Sequence, residues 1–230
     1  SFKMKYSKAT LGKGGNSRFD VYDSDLVGES LGNIDVVSKY SSFRFSTLGE
    51  AEFDSYDDDL EFASATGPKV VAKYSNIKVD GNLGFTNLKL YDTDVAARQT
   101  GTLQLDAKYS KIEAAEAGAL VVSNTYDSRV AIGKLKSVNC LGSKYDKYNL
   151  GEVVESAVFA DVYSSEIDVE HTSSLFTNFK GKFKYGKVTL GLPSSLQYRM
   201  NYETTYGQVN FDSERFGHNR IHDKRSDKST

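Results

Sequence analysis

Residues 73–94 read KYSNIKVDGNLGFTNLKLYDTD, and the way this stretch is built decides the fold. Apolar and polar residues alternate in Ile77-Lys78-Val79 and in Leu88-Lys89-Leu90, the period-2 pattern of half-buried strands. Asp80-Gly81-Asn82 breaks the alternation. Gly and Asn tolerate the positive φ that a tight corner requires, so a turn is predicted there and again at Thr100-Gly101. A tyrosine closes each end, Tyr74 within Lys-Tyr-Ser and Tyr91 within Tyr-Asp-Thr-Asp.

Both ends recur along the chain. The first series is Lys5-Tyr6-Ser7, Lys39-Tyr40-Ser41, Lys73-Tyr74-Ser75 and Lys108-Tyr109-Ser110, then Lys144-Tyr145-Asp146 and Lys184-Tyr185-Gly186. The second is Tyr22-Asp23-Ser24-Asp25, Tyr56-Asp57-Asp58-Asp59, Tyr91-Asp92-Thr93-Asp94, Tyr126-Asp127-Ser128-Arg129 and Tyr163-Ser164-Ser165-Glu166, closed by Tyr206-Gly207. Interleaved, the twelve tyrosines step by 16, 18, 16, 18, 17, 18, 17, 19, 18, 22 and 21 residues, which defines a unit of about 17. A unit this short cannot enclose a core, so neighbouring units must stack and bury a continuous apolar column. The expected fold is all-β: a β-solenoid of about twelve coils over residues 1–212, roughly 58 Å long at the interstrand spacing. The competing architecture is an antiparallel meander, with each double unit as one propeller blade. A tyrosine that returns twice per double unit favours coils.

Composition agrees with a sheet protein: 15 Tyr and 13 Phe without Trp, and 19 Gly with only 2 Pro. The formal charge is −2 with neither half strongly basic, so a nucleic-acid footprint is not expected. No apolar run approaches the ~20 residues of a membrane-spanning helix. Cys140 is alone, which excludes an intrachain disulfide; in Ser137-Val138-Asn139-Cys140-Leu141 it alternates like an inward strand residue. Residues 213–230 abandon the repeat and read as a polar C-terminal cap or tail, while the first Lys-Tyr-Ser comes almost at once, so end-to-end self-association is an expectation. The chain begins at Ser1, and any export signal is expected upstream of it.

In a stack of coils the same position forms a ladder. Tyr40, Tyr74 and Tyr109 of one series, with Tyr56, Tyr91 and Tyr126 of the other, therefore form a column. That column is either an aromatic stack that serves the fold or a strip of phenols facing a glycan. The flanking lysines and aspartates alternate between unit types, which keeps like charges two coils apart. The pairs Asp23/Asp25, Asp57/Asp59 and Asp92/Asp94 raise the question of Ca2+, since a hard cation wants several carboxylate oxygens at one point and the i, i+2 spacing puts both on one side of a strand. The run decays to Arg129 and Ser164, and the lysines compete as counterions. A polysaccharide-cleaving enzyme of the pectin-lyase-like type would draw its acids or calcium ligands from Asp92, Asp94 and their neighbours. His171, after Ile167-Asp168-Val169, reads as a turn residue, and 217–222 (GHNRIH) as solvated surface. No phosphate loop, nucleophile elbow or His-Glu-x-x-His motif occurs.

The corners followed by an apolar restart, Tyr74-Ser75-Asn76-Ile77, Tyr109-Ser110-Lys111-Ile112 and Tyr126-Asp127-Ser128-Arg129-Val130, resemble a bacterial adhesin-type β-solenoid family of unknown function. That family includes autotransporter-adhesin head domains familiar from Bacteroidetes. The closing segment, 192–196 (LPSSL) followed by 202–209 (YETTYGQV), is similar to the family's final coil, and the resemblance covers roughly residues 1–212. The chain departs from the pattern in placing Tyr-Ser or Tyr-Asp where the family usually has Ser-Gly-Asp-type corners. The resemblance implies a single-domain, right-handed parallel β-helix, exported to the periplasm or cell surface, with no catalytic residues to carry over. On this reading the chain is a noncatalytic surface-binding or scaffold module, with surface glycans or other cell-surface proteins as its partners.

Overall fold

The computed structural model describes residues 1–194 and the strand backbones at Asn201–Thr204 and His222–Arg225. The described residues contain strands and no helix, hence none long and apolar enough to cross a membrane. Seventeen strands, β1 (Phe2–Lys5) to β17 (Lys187–Leu190), form one sheet in which every pairing is parallel and joins residues one coil apart. The chain is a β-solenoid of about eleven coils over these residues. The antiparallel alternative fails because no hairpin pairing occurs in this sheet. Tyr206, which would open a twelfth coil, lies outside the described residues, as does most of 213–230. Within that stretch His222–Arg225 (β19) pairs in parallel with Asn201–Thr204 (β18).

One coil shows why the chain folds this way. Its inward residues are Phe43, Phe45, Leu48, Ala51, Phe53, Ser55 and Asp58, and the next coil repeats them as Leu60, Phe62, Ala65, Pro68, Val70, Ala72 and Ser75. The steps are two, three, three, two, two and three residues. Steps of two are pleated strand, and each step of three turns the backbone while keeping the next side chain inside. Strands therefore run through the milder bends, as in β6 (Ser42–Tyr56) and β7 (Asp59–Lys73), both 15 residues long. Aromatic side chains fill the centre, with Phe53 and Phe62 stacked at 6.1 Å. An interior void of only about 10 Å³ lies beside Phe62, Val79 and Leu103, too small for a ligand.

The corners correct one sequence expectation. No glycine in the described residues has a positive φ; the left-handed positions are Tyr6, Asp23, Tyr40, Asp57, Tyr74, Asp92, Tyr109, Asp127, Tyr145, Ser164 and Tyr185. Asp80-Gly81-Asn82 lies inside β8 (Asn76–Leu83) and Thr100-Gly101 inside β10 (Asp94–Lys108). Glycine serves there as the residue without a side chain: a Cβ on Gly81 would lie 2.3 Å from the Ala63 carbonyl oxygen of the preceding coil, and one on Gly84, in the bend after β8, 1.9 Å from that of Thr66. His171 also differs from expectation. It belongs to β15 (Glu166–Thr172), opposite Glu152, rather than to a turn.

Candidate functional site: the tyrosine edge

Measured at the left-handed corner, the coils of the first half step by 17 residues, whereas the tyrosines step by 16 and 18. The difference arises because the two tyrosine series occupy adjacent columns. In register, Lys5 pairs with Tyr22, Tyr22 with Lys39 and Lys39 with Tyr56. The strand-end column thus alternates Lys and Tyr, and the corner column alternates Tyr and Asp. The one-residue offset turns successive rings across one another. Tyr40 meets Tyr56 at 5.8 Å and 80°, Tyr56 meets Tyr74 at 5.4 Å and 72°, and Tyr91 meets Tyr109 at 5.5 Å and 78°. Edge-to-face packing of this kind is favoured over a face-to-face sandwich. The ladder runs unbroken from Tyr6 through Tyr126 to Tyr185.

The ladder faces solvent. Tyr40, Tyr74 and Tyr109 are 47%, 45% and 46% exposed, while Tyr56 and Tyr126 are half-buried beneath them. Packing against neighbours desolvates these three phenols and, with the adjacent tyrosines and the aspartates Asp57, Asp92 and Asp127, raises their pKa values. They are neutral hydroxyls at physiological pH. The lysines lie along the rings, Lys5 Nζ 5.4 Å from the Tyr22 centroid and Lys39 Nζ 5.8 Å from that of Tyr56. These are cation–π contacts.

Behind the edge runs a polar ladder that reading the motifs separately did not find. The third corner residue is Ser, Thr or Asp in coil after coil, and its side-chain oxygen accepts the backbone N–H of the equivalent residue one coil earlier. Ser7 N donates to Ser24 Oγ at 3.0 Å, Ser24 N to Ser41 Oγ at 3.3 Å, Asp58 N to Ser75 Oγ at 3.1 Å and Thr93 N to Ser110 Oγ at 3.2 Å. Each Ser or Thr hydroxyl of this column also donates to the carbonyl two residues back, as Ser41 Oγ does to Lys39 O. Two positions carry aspartate instead. Asp58, only 2% exposed, accepts from Ser38 Oγ at 2.6 Å, Ser41 N at 2.7 Å and Tyr56 N at 3.2 Å. Asp146 accepts from Thr125 Oγ1, Ser143 Oγ, Ser128 N and Lys144 N. Burial raises both carboxyl pKa values, and the donors oppose that rise. Aligning the two tyrosine motifs by their strand ends, one residue out of step, exposes this column in the sequence.

Between Tyr40 and Tyr74 the edge opens a shallow cleft of about 380 Å³ lined by Asp25, Ser42, Asp57, Asp59 and Asn76. The residues considered for Ca2+ are divided there by their roles. Asp57 and Asp92 hold left-handed corners, while Asp59 and Asp94 begin the next strands. Asp59 accepts from Asn76 Nδ2 at 2.9 Å, and Asp94 is paired in register with Lys111. No three His, Cys, Asp or Glu side chains converge as a metal site among the described residues. Cys140 is buried, as its alternation implies, and burial pushes its thiol up to about 11.

No family model, curated protein or solved structure matches this chain.

Proposed function

We propose that this chain is a noncatalytic, exported β-solenoid of adhesin type that binds its target along the tyrosine edge. What supports the reading is the position of Tyr40, Tyr74 and Tyr109, which project outward from left-handed backbone. That conformation costs an ordinary L-residue about 1–2 kcal/mol and costs Gly, Asn or Asp less. Two edge-to-face ring contacts roughly offset that cost, so the corner tyrosine adds little net stability. A residue held in a sparsely populated conformation at the surface, repeated every second coil, is characteristic of functional positions. Aromatic rings suit the C–H faces of sugars, and neutral phenols with flanking Lys and Asp suit their hydroxyls, so surface glycans are the ligand class. Repetition along the axis offers an extended chain the same contact many times, which raises avidity without demanding a deep pocket.

The test is retention on immobilised cell-surface polysaccharides of the wild-type chain and of a Tyr40→Asn/Tyr74→Asn/Tyr109→Asn variant. Asn fits the left-handed corner, so the coil is kept and circular dichroism verifies it. The expected result is at least a tenfold loss of binding. Equal retention by both proteins overturns the proposal.

A further inference from the structure

The chain-wide balance of charge conceals a division along the tyrosine edge. The first residue after each corner forms a column beside the exposed tyrosines, as the lining of the Tyr40–Tyr74 cleft shows. In the first six coils this column reads Lys8, Asp25, Ser42, Asp59, Asn76 and Asp94. In the next five it reads Lys111, Arg129, Lys147, Glu166 and Lys187. With the corner aspartates Asp23, Asp57 and Asp92 and the strand-end lysines Lys5, Lys39 and Lys73 added, one half of the edge carries six carboxylates against four lysines. The other half, with Lys108, Lys144 and Lys184 added, carries seven cations against Asp127 and Glu166. Lys111, Arg129 and Lys147 stand directly opposite one another on consecutive strands. Lys111 meets Glu113 at 2.9 Å and Lys147 meets Glu166 at 3.3 Å, as Lys8 meets Asp25 at 2.7 Å, all exposed pairs that a partner surface can exchange, while Arg129 forms no ion pair among the described residues.

A surface that is acidic at one end and basic at the other is complementary to itself under a two-fold axis. We infer that two copies of this chain pack edge to edge and antiparallel, with the acidic half of each against the basic half of the other. The inference rests on the reading of the tyrosine edge as a binding face and supplies that face with a protein partner. Placing the axis between the sixth and seventh coils sets Asp94 against Lys111, Asp59 against Lys147 and Asp25 against Lys187. The remaining carboxylate, Glu166, then faces Ser42. The same operation exchanges odd and even coils, so each corner aspartate meets a corner tyrosine: Asp92 with Tyr109, Asp57 with Tyr145, Tyr74 with Asp127. Neutral phenols donate and carboxylates accept.

Eleven coils make an edge ~50 Å long. At a width of roughly 10–15 Å it buries about 1,000–1,500 Å² over both partners, within reach of a specific but weak interface. Tyrosine supplies such interfaces with large contact area at low entropic cost. Exposed ion pairs contribute little each and are screened by salt, so association is expected to be micromolar and ionic-strength dependent.

Sedimentation velocity of the full 230-residue chain, from 1 to ~300 µM in 20 mM and in 500 mM salt, tests this. The expected mass rises with concentration from 25.4 kDa towards twice that value in low salt and stays near the monomer in high salt. Asp59→Lys/Asp94→Lys and Lys111→Glu/Lys147→Glu each turn two of the three opposed charge pairs, Asp94 with Lys111 and Asp59 with Lys147, into like charges, and each is expected to be folded by circular dichroism and monomeric. Mixed one to one, they are expected to recover the dimer. A wild-type chain that stays monomeric throughout overturns the inference, as does a mixture that fails to recover. So does association that survives both substitutions, since it would use another surface. Polysaccharide retention run in parallel separates the two claims: a monomeric wild type that still loses retention on tyrosine substitution sinks the second copy and leaves the glycan-binding edge standing.

Discussion

Tyr74 and Tyr91 are neighbours in one ladder but are held differently. Tyr74 sits at φ 56°, whereas Tyr91 ends a strand, and each makes two edge-to-face contacts. Such contacts contribute about 0.5–1.5 kcal/mol apiece. Tyr91→Ala is therefore expected to cost roughly 1–3 kcal/mol, while Tyr74→Asn recovers ~1–2 kcal/mol of backbone strain and ends within about 1 kcal/mol of wild type. Urea unfolding decides: an equal or larger loss for Tyr74→Asn contradicts the strain argument. Asp58 gives a second prediction at this scale. Its folded pKa is raised by burial, so below that raised value, down to the ordinary 3.8, the folded chain binds more protons than the unfolded one. Its contribution to stability therefore grows as pH falls through that window and is lost as pH rises. Asp58→Ser restores the hydroxyl rung of the neighbouring coils, and its melting temperature is expected to lack this component. Identical pH profiles for the two proteins would rule the component out.

At the scale of the element, the coil is held by residues that fit against the coil beneath. Gly84 and Gly101 stack on backbone: a Cβ on Gly101 would meet the Gly84 carbonyl oxygen at 3.0 Å, and one on Gly84 the Thr66 oxygen at 1.9 Å. Gly84→Ala forces the backbone away from the preceding coil at the bend between β8 and β9 (Thr86–Tyr91) and is expected to cost at least ~2 kcal/mol, against under 1 for Gly12→Ala, where nothing lies within 4 Å. A thermal melt that cannot tell the two apart would show that the coils are not in this register. The strands and their period were legible in the alternation of Ile77-Lys78-Val79 and the return of tyrosine. The corners at Tyr74-Ser75, Tyr109-Ser110 and Asp127-Ser128 were legible through the polar break and apolar restart, whereas the turns expected at Asp80-Gly81-Asn82 and Thr100-Gly101 were misplaced, because glycine usually marks positive φ and here it marks close approach. The two-column tyrosine edge, the hydroxyl ladder through Ser24 and Ser41, and the division of charge between Asp94 and Lys111 were hidden for a related reason. Each joins residues about 17 apart, which become neighbours only once the coils are stacked in register.

For the whole molecule, stacking makes distance along the axis proportional to the number of coils, and every feature of the edge depends on that proportionality. Lys39, Lys108, Lys144 and Lys184 share the strand-end column, each linked to the next through alternating tyrosines in continuous register. Nitroxides on pairs of cysteines replacing these lysines, measured by double electron–electron resonance with the buried Cys140 left native, test the arrangement directly. From position 39 the expected distances are ~19 Å to 108, ~29 Å to 144 and ~38 Å to 184, a straight line in coil number at the interstrand spacing. Distances that level off or fall back along the chain, as they would around a closed ring of blades, would contradict the solenoid and with it the tyrosine edge.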